Sequence, residues 1–416
     1  MSGPNGGGAP RVKRFEEQRW VLDNLIQTVG VEWDQPRVNY MSAPGGLEAM
    51  GDFRTAAARI AKYADVDREF MAAARRRQAK AESLEKDGRT VAARESYFIA
   101  SLLWATARWP IHEANERLLD LEVKMNHCYA KFIAYSARPI ERVEIPFGNQ
   151  FLPAYLHLPR TPAAGEKFPC VITSQGMDGC KETGAAMYGD KLLERDIAVF
   201  AMDGPGQGEC FSRRVLVTED NHKDAVAAAL DYLDKRPEID GAKLGYRGTS
   251  FASYFGTVAA AALGDRLKAC AVYAVCHEPG AHTIFNVASP TFKMRFMYMA
   301  GYTDEEKFDR FMPKLDLRPI AHKITCPYLA VAGGDDELSP IEHTYDLLER
   351  ITAPKKLVVY EGARHAIGPV PSVVLGENPH NLISDWFVDR FAGKPMVSEK
   401  VYVDSTGRAA ATPYSR

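Results

Sequence analysis

The stretch at residues 245–256, GYRGTSFASYFG, holds Ser250 between Gly248 and Ala252. A serine forced into a tight turn between a strand and a helix needs small residues two positions before and after it, because the backbone folds back on itself there. Gly248 and Ala252 meet that demand, and a serine so placed could attack a carbonyl carbon. Taken alone, the pattern fits equally a serine that caps a helix. Its partners decide between the two readings. A nucleophilic serine needs a base within hydrogen-bond reach and an acid that orients the base, and the order serine, acid, histidine at the ends of successive strands supplies both. AVAGGDDELSP offers Asp335, Asp336 and Glu337 as the acid; Asp336, three residues after Gly333 and four before Pro340, has the expected spacing. VVYEGARHAIG offers His365, which alone among the ten histidines falls after the last strand in a glycine-flanked loop. His322, His343 and His380 read as surface or helix-end residues.

Attack on a carbonyl creates an oxyanion, which needs two preorganised N–H donors. The expected donors are Phe251 N–H, just after the serine, and Met177 N–H in SQGMDGCKE, where Gly176 permits close approach of the backbone. GMDG also fits a plain β-turn. Two further motifs fail their tests. In MDGPGQGE the glycines fall at 204, 206 and 208 and Glu209 follows, so the phosphate-binding spacing is missed and an acid would repel the phosphate. HEPGAH lacks the spacing that puts two histidines on one helix face, so no metal site is expected, and nothing in the chain calls for a cofactor.

These residues need a scaffold. Residues 15–137 follow a helical period; in GRTVAARESYFIASLLWATARWP, Val91, Arg94 or Glu95, Phe98, Leu102 and Ala105 recur at that spacing and Pro110 stops the run. From IERVEIPFGNQFLPAYLHLPR the period becomes two, with Gly148 and Asn149 as a hairpin turn. Then PCVITSQG, IAVFAMDG, KLGYRG, ACAVYAVC, PYLAVAGG and KLVVYEG alternate with helix-like segments, which predicts a mostly parallel, doubly wound sheet. The expected division is a flexible tail over 1–14, a helical cap over 15–137, a catalytic α/β domain over 138–393 with a helical insertion at 278–322, and a loosely attached tail over 394–416.

The 416 residues are 46% hydrophobic and 25% charged, with a formal net charge of -2, so no basic field draws nucleic acid or a membrane surface. Arg75, Arg76 and Arg77 read as a solvated helix face. Seven cysteines without C-x-x-C spacing read as reduced thiols, and no run is long and apolar enough for a membrane span or signal peptide, so a cytoplasmic protein is expected. The expected partner is a small-molecule substrate; a homodimer is left open.

GMDGCKE, DGPGQGE, GTSFA, GGDDELSP and GARH, in this order, resemble the α/β-hydrolase superfamily and within it the group with an N-terminal helical cap. That group takes in 2,6-dihydroxypseudooxynicotine hydrolase, the fungal hydrolases that shorten a polyketide by carbon–carbon cleavage, and esterases of the fermentation-respiration switch type. Ala252 stands where that family usually has glycine. The resemblance implies Ser250 as nucleophile, Asp336 as orienting acid and His365 as base. It also implies that the loop carrying His277, Glu278 and His282 faces the substrate; Gly176 and Asp178 join these as candidate contacts. The resulting expectation is a serine-dependent hydrolase that cleaves an ester bond, or a carbon–carbon bond next to a ketone, in a small aromatic or polyketide-like molecule. A carboxylesterase or lactonase, an acyltransferase or cyclase using the same triad, and a non-catalytic binding protein are the alternatives.

Overall fold

The computed structural model describes residues 8–414. Residues 13–134 carry only helices and short turns: α1 (Lys13–Glu17), α2 (Arg19–Val29), α3 (Arg37–Ser42), α4 (Gly46–Ala57), α5 (Val66–Lys86), α6 (Thr90–Ala107) and α7 (Glu116–Ala134). The Asn115 side chain caps α7 by accepting from Leu118 N–H at 2.9 Å. The middle helix, α6, is buried from Ser96 to Ala107, wider than an amphipathic stripe, because α5 and α7 both pack on it and α3 and the turns at Ala43–Gly45 and Lys181–Thr183 touch it as well. Its alanines and serines allow that close approach, while Val91 at its start is exposed. In α5, Arg75 and Arg76 face solvent as expected, but Arg77 turns inward and pairs with Glu48 and Asp52 of α4.

Ten strands follow: β1 (Ile140–Phe147), β2 (Gln150–His157), β3 (Phe168–Ser174), β4 (Ala198–Met202), β5 (Ile239–Thr249), β6 (Ala269–Tyr273), β7 (Tyr328–Gly333), β8 (Lys355–Tyr360), β9 (Glu399–Val403) and β10 (Ala409–Pro413). They form one sheet in the order β1-β2-β4-β3-β5-β6-β7-β8-β9-β10. The run from β4 to β9 is parallel, as the alternation of apolar strands with helices requires. Helices α8 (Gly208–Ser212), α9 (His222–Leu233), α10 (Phe251–Leu263), α11 (Pro290–Ala300), α12 (Glu305–Phe311), α13 (Ile341–Arg350), α14 (Pro371–Leu375) and α15 (Pro379–Phe391) lie among the strands. Separate apolar clusters form on the two faces of the sheet. A third fills the N-terminal helices and takes in Tyr155 of β2 and Cys180 of the loop after β3.

Both chain ends depart from the expected loose tails. Residues 394–414 are not a tail: β9 adds parallel to β8, and β10 pairs back on it. Val401 and Val403 point into the core and Gly407 turns the hairpin at φ +79°, a conformation that favours glycine. Residues 415–416 lie outside the described residues, as do residues 1–7 of the expected N-terminal tail. Residues 11–14 are anchored: Val12 is fully buried, Arg11 N–H donates to Thr303 O, and the Arg14 guanidinium donates to the carbonyls of Phe285 and Ala288. No helix among the described residues is long and apolar enough to cross a membrane.

Candidate active site

Ser250 sits in the turn from β5 to α10 with φ 55° and ψ −127°. For a residue with a Cβ this left-handed backbone costs about 1–3 kcal/mol, so the surroundings must enforce it. They do so in two ways. Ser250 N–H donates to Tyr273 O of the neighbouring strand at 2.9 Å, and Ser253 N–H closes the turn on Ser250 O at 2.7 Å. Gly248 is obligatory here: a Cβ on it would lie 2.1 Å from the carbonyl oxygen of Ala252. Ala252 itself is fully buried and fits, so the fifth position of the motif tolerates a methyl group where the first tolerates none.

The three residues expected to act together meet. Ser250 Oγ is 2.9 Å from His365 Nε2, and His365 Nδ1 is 2.9 Å from Asp336 Oδ2 and 3.2 Å from Oδ1. Asp336 follows β7, and its Oδ1 also accepts the N–H groups of Leu338 and Ser339 at 2.9 Å each, which fixes the carboxylate in place. Burial opposes a charge on His365, but Asp336 outweighs it and holds the imidazole well above its ordinary range. Asp335 is exposed, which leaves Asp336 as the carboxylate on the histidine. Glu337 is not idle: its Oε2 accepts His365 N–H at 3.0 Å, and its Oε1 accepts from the Gln35 amide at 2.6 Å. This link brings the helical N-terminal part of the chain onto the histidine loop.

Gly176 lies against the serine; a Cβ on it would be 2.7 Å from Ser250 Cβ and 3.1 Å from Oγ. The N–H groups of Met177 and of Phe251, the first residue of α10, have no hydrogen-bond acceptor among the described residues. Phe251 N–H also carries the positive end of the helix. The loop bearing Met177 is braced from the loop after β4: the Gln207 amide donates to Gln175 O, while its oxygen accepts from Ser174 Oγ and Gly204 N–H. MDGPGQGE thereby braces the loop that carries Met177. Beneath it, Lys181 is fully buried and pairs with Glu182, Asp203 and Glu209. Arg142 of β1 adds a second cation on Glu209.

Other candidate contacts are engaged elsewhere. His277 is buried between Thr344 Oγ1 and Tyr328 OH, and burial pulls its pKa down to about 3, which marks a neutral core histidine. Glu278 accepts from the backbone and hydroxyl of Thr283 and so caps the turn at Thr283–Val287. His282 is exposed and touches Asn286. Polar spacing on a loop could not reveal that His277 and Glu278 are taken up by bonds within the fold while His282 faces solvent. Asp178 instead meets the N-terminal helices: it accepts from Arg37 Nε at 3.0 Å and Tyr40 OH at 2.8 Å. Burial works against the Asp178 charge, yet Arg37 and Tyr40 outweigh it and hold the carboxyl below the usual range. No local motif marks Gln35, Arg37 and Tyr40, and only the fold brings them to these loops.

Comparison with known proteins agrees with this architecture. The esterase FrsA-like family model matches residues 67–304, more than half of the chain. The 2,6-dihydropseudooxynicotine hydrolase of Paenarthrobacter nicotinovorans is 26% identical over 285 residues, 68% of this chain and 73% of that protein. The alpha/beta hydrolase xenA of Xenoacremonium sinensis is 26% identical over 296 residues, 67% of each chain. The crystal structure of the 2,6-dihydroxy-pseudo-oxynicotine hydrolase superposes with a TM-score of 0.73 at 24% identity, covering 86% of this chain and 97% of that one. With the sheet order and helical surround described above, these matches make the chain a member of the FrsA-like esterase family, an enzyme of the α/β-hydrolase fold.

Proposed function

We propose that this hydrolase works through a covalent acyl-enzyme on Ser250, formed from a small aromatic or polyketide-like substrate. The observation that carries the reading is the unbroken chain from Ser250 Oγ through the His365 ring to the Asp336 carboxylate. Ser250 Oγ attacks the substrate carbonyl as His365 Nε2 takes its proton. The oxyanion forms against Met177 N–H and Phe251 N–H; one such donor is worth about 2.7–4 kcal/mol in the transition state. Collapse of the adduct breaks the bond to the leaving group, which takes the electron pair and receives the proton from His365. Water, deprotonated by the same histidine, then attacks the acyl-enzyme and regenerates the serine. An alkoxide leaving group makes this an ester hydrolysis. A carbanion stabilised by a neighbouring carbonyl or phenol makes it a carbon–carbon cleavage, with every protein group in the same role.

A screen of p-nitrophenyl esters beside aryl 1,3-diketones, with products identified by mass spectrometry, tests the reading and separates the two bond types. Turnover of a member of either set, lost in Ser250→Ala, supports it. Turnover that survives Ser250→Ala overturns it.

A further inference from the structure

Arg295 on α11 reaches across to the loop after β3, where its Nε donates to Met177 O at 2.8 Å. A guanidinium carries five N–H donors. The four on Nη1 and Nη2 find no acceptor among the described residues, although Arg295 is only 9% exposed. Two other guanidiniums near it hold carboxylates, Arg37 on Asp34 and Asp178 and Arg108 on Glu122, although Arg37 Nη2 and Arg108 Nε are themselves buried without a partner. Arg295 holds no carboxylate. Asp178 acts on it only through space, being bonded to Arg37 and Tyr40, and the nearest ring is Tyr298, 5.0 Å from Cζ. Unlike the wholly enclosed Arg37 Nη2 and Arg108 Nε, the Arg295 Nη atoms keep some accessible surface, so their donors are open to an incoming acceptor, and a largely buried cation without a carboxylate favours an anion.

A second group beside it is also unmatched. His112, between α6 and α7, is 6% exposed; its Nε2 meets Tyr63 OH at 3.1 Å, and its Nδ1 has no partner. Burial, reinforced by the Arg295 charge, pulls this imidazole down to about 3, so it is neutral and offers one free nitrogen. Flat surfaces surround the pair. Tyr298 lies 6.1 Å from the His112 ring and packs on Phe211, and Tyr63 adjoins Trp33 and Trp109. The site is close to the chemistry, since Arg295 grips Met177 and the preceding residue, Gly176, packs on Ser250.

We propose that Arg295, with His112 beside it, is a specificity-determining site for a negatively charged oxygen on the substrate, either a carboxylate or an ionised phenol or enol, carried on a planar ring near the carbonyl that Ser250 attacks. A planar fork of N–H donors suits a two-oxygen or delocalised anion, and the aromatic walls suit the ring. The proposal rests on the Ser250 reading for the position of the carbonyl, but the anion site itself does not require a reactive serine.

Calorimetric titration with benzoate, 4-nitrophenolate and uncharged benzamide at about pH 8, where both anions are ionised, tests it on wild-type and Ser250→Ala protein. At least one anion is expected to bind about tenfold or more tightly than benzamide, and Arg295→Gln to abolish that preference while leaving benzamide within about twofold. The preferred anion tells carboxylate from phenolate recognition. Equal binding of all three probes to the wild-type protein overturns the proposal, as does an anion preference that Arg295→Gln leaves unchanged. If Arg295→Gln does not fold, Arg295→Lys, which keeps the charge and loses the fork, must weaken the preference by about threefold or more, and an unchanged preference there overturns it. A purely structural Arg295 would shift all three affinities together. Anion preference without fluorophosphonate labelling of the wild-type protein would refute the Ser250 reading alone.

Discussion

Replacing Gly176 with alanine adds a single methyl group at the closest approach of the loop after β3 to Ser250. That methyl would sit 2.7 Å from Ser250 Cβ, 3.1 Å from Oγ and 3.3 Å from Thr249 O. Carbon atoms in contact prefer about 3.5–4.0 Å, so relief requires the loop and the serine to part by about 1 Å. Overpacking of this size costs about 1–3 kcal/mol of stability, which a domain with this core survives. Activity is more sensitive. A displacement of about 1 Å between reacting groups is enough for about a 10²-fold loss, since the oxyanion donor and the nucleophile must address the same carbonyl. Expected for Gly176→Ala is therefore a folded protein whose kcat/KM falls about 10²-fold, with fluorophosphonate labelling slowed in parallel. Gly51→Ala is the control: no atom lies within 4 Å of the added methyl on the exposed face of α4, and the change should be neutral or gain about 0.5–1 kcal/mol. Near wild-type labelling and turnover in a folded Gly176→Ala protein would refute the placement of this loop over the serine.

Asp336→Asn should lower kcat by about 10⁴, as the histidine loses the partner that fixes its tautomer, whereas Asp335→Asn, on an exposed side chain, should leave steady-state rates nearly unchanged. Because Asp336 raises the folded-state pKa of His365 against burial, kcat/KM should rise with pH through a midpoint above 6.5, and EDTA should leave the profile unchanged. The same shift makes protonated His365 stabilising: its contribution is fully present below the unfolded value of about 6.5 and is lost as pH rises through the folded pKa, so thermal melts of wild type and His365→Gln should converge at high pH. Lys181→Met strands Glu182, Asp203 and Glu209 in the interior and should cost about 3–5 kcal/mol in urea unfolding.

The parts of the molecule legible in the sequence are those whose signal is local. Six apolar runs ending in glycine or polar residues correspond to β3 to β8, and a glycine two residues before Ser250 is a steric demand of the turn itself. Asp336 was distinguishable from its acidic neighbours by its distance from Gly333 and Pro340, and the structure puts it on His365. The last two strands were missed, though the alternation in Lys400, Val401, Tyr402 and Val403 before a glycine turn was there to be read. A short edge hairpin with β10 wholly exposed has little apolar content to announce it. The polar residues of the loop after β6 misled, because His277 and Glu278 satisfy buried backbone and hydroxyl groups that only the packed structure reveals. Gln35, Arg37, His112 and Arg295 carry no motif at all. They come from three separate stretches of the sequence, and the seam where they gather exists only once the N-terminal helices pack against the loops that follow the strands.

The most direct test of the account is to label the protein with a fluorophosphonate and locate the adduct by peptide mass spectrometry. The expected result is a single stoichiometric adduct on Ser250, absent in Ser250→Ala and greatly slowed in His365→Gln. Stoichiometric labelling of another residue, or catalysis that persists in Ser250→Ala, would contradict it.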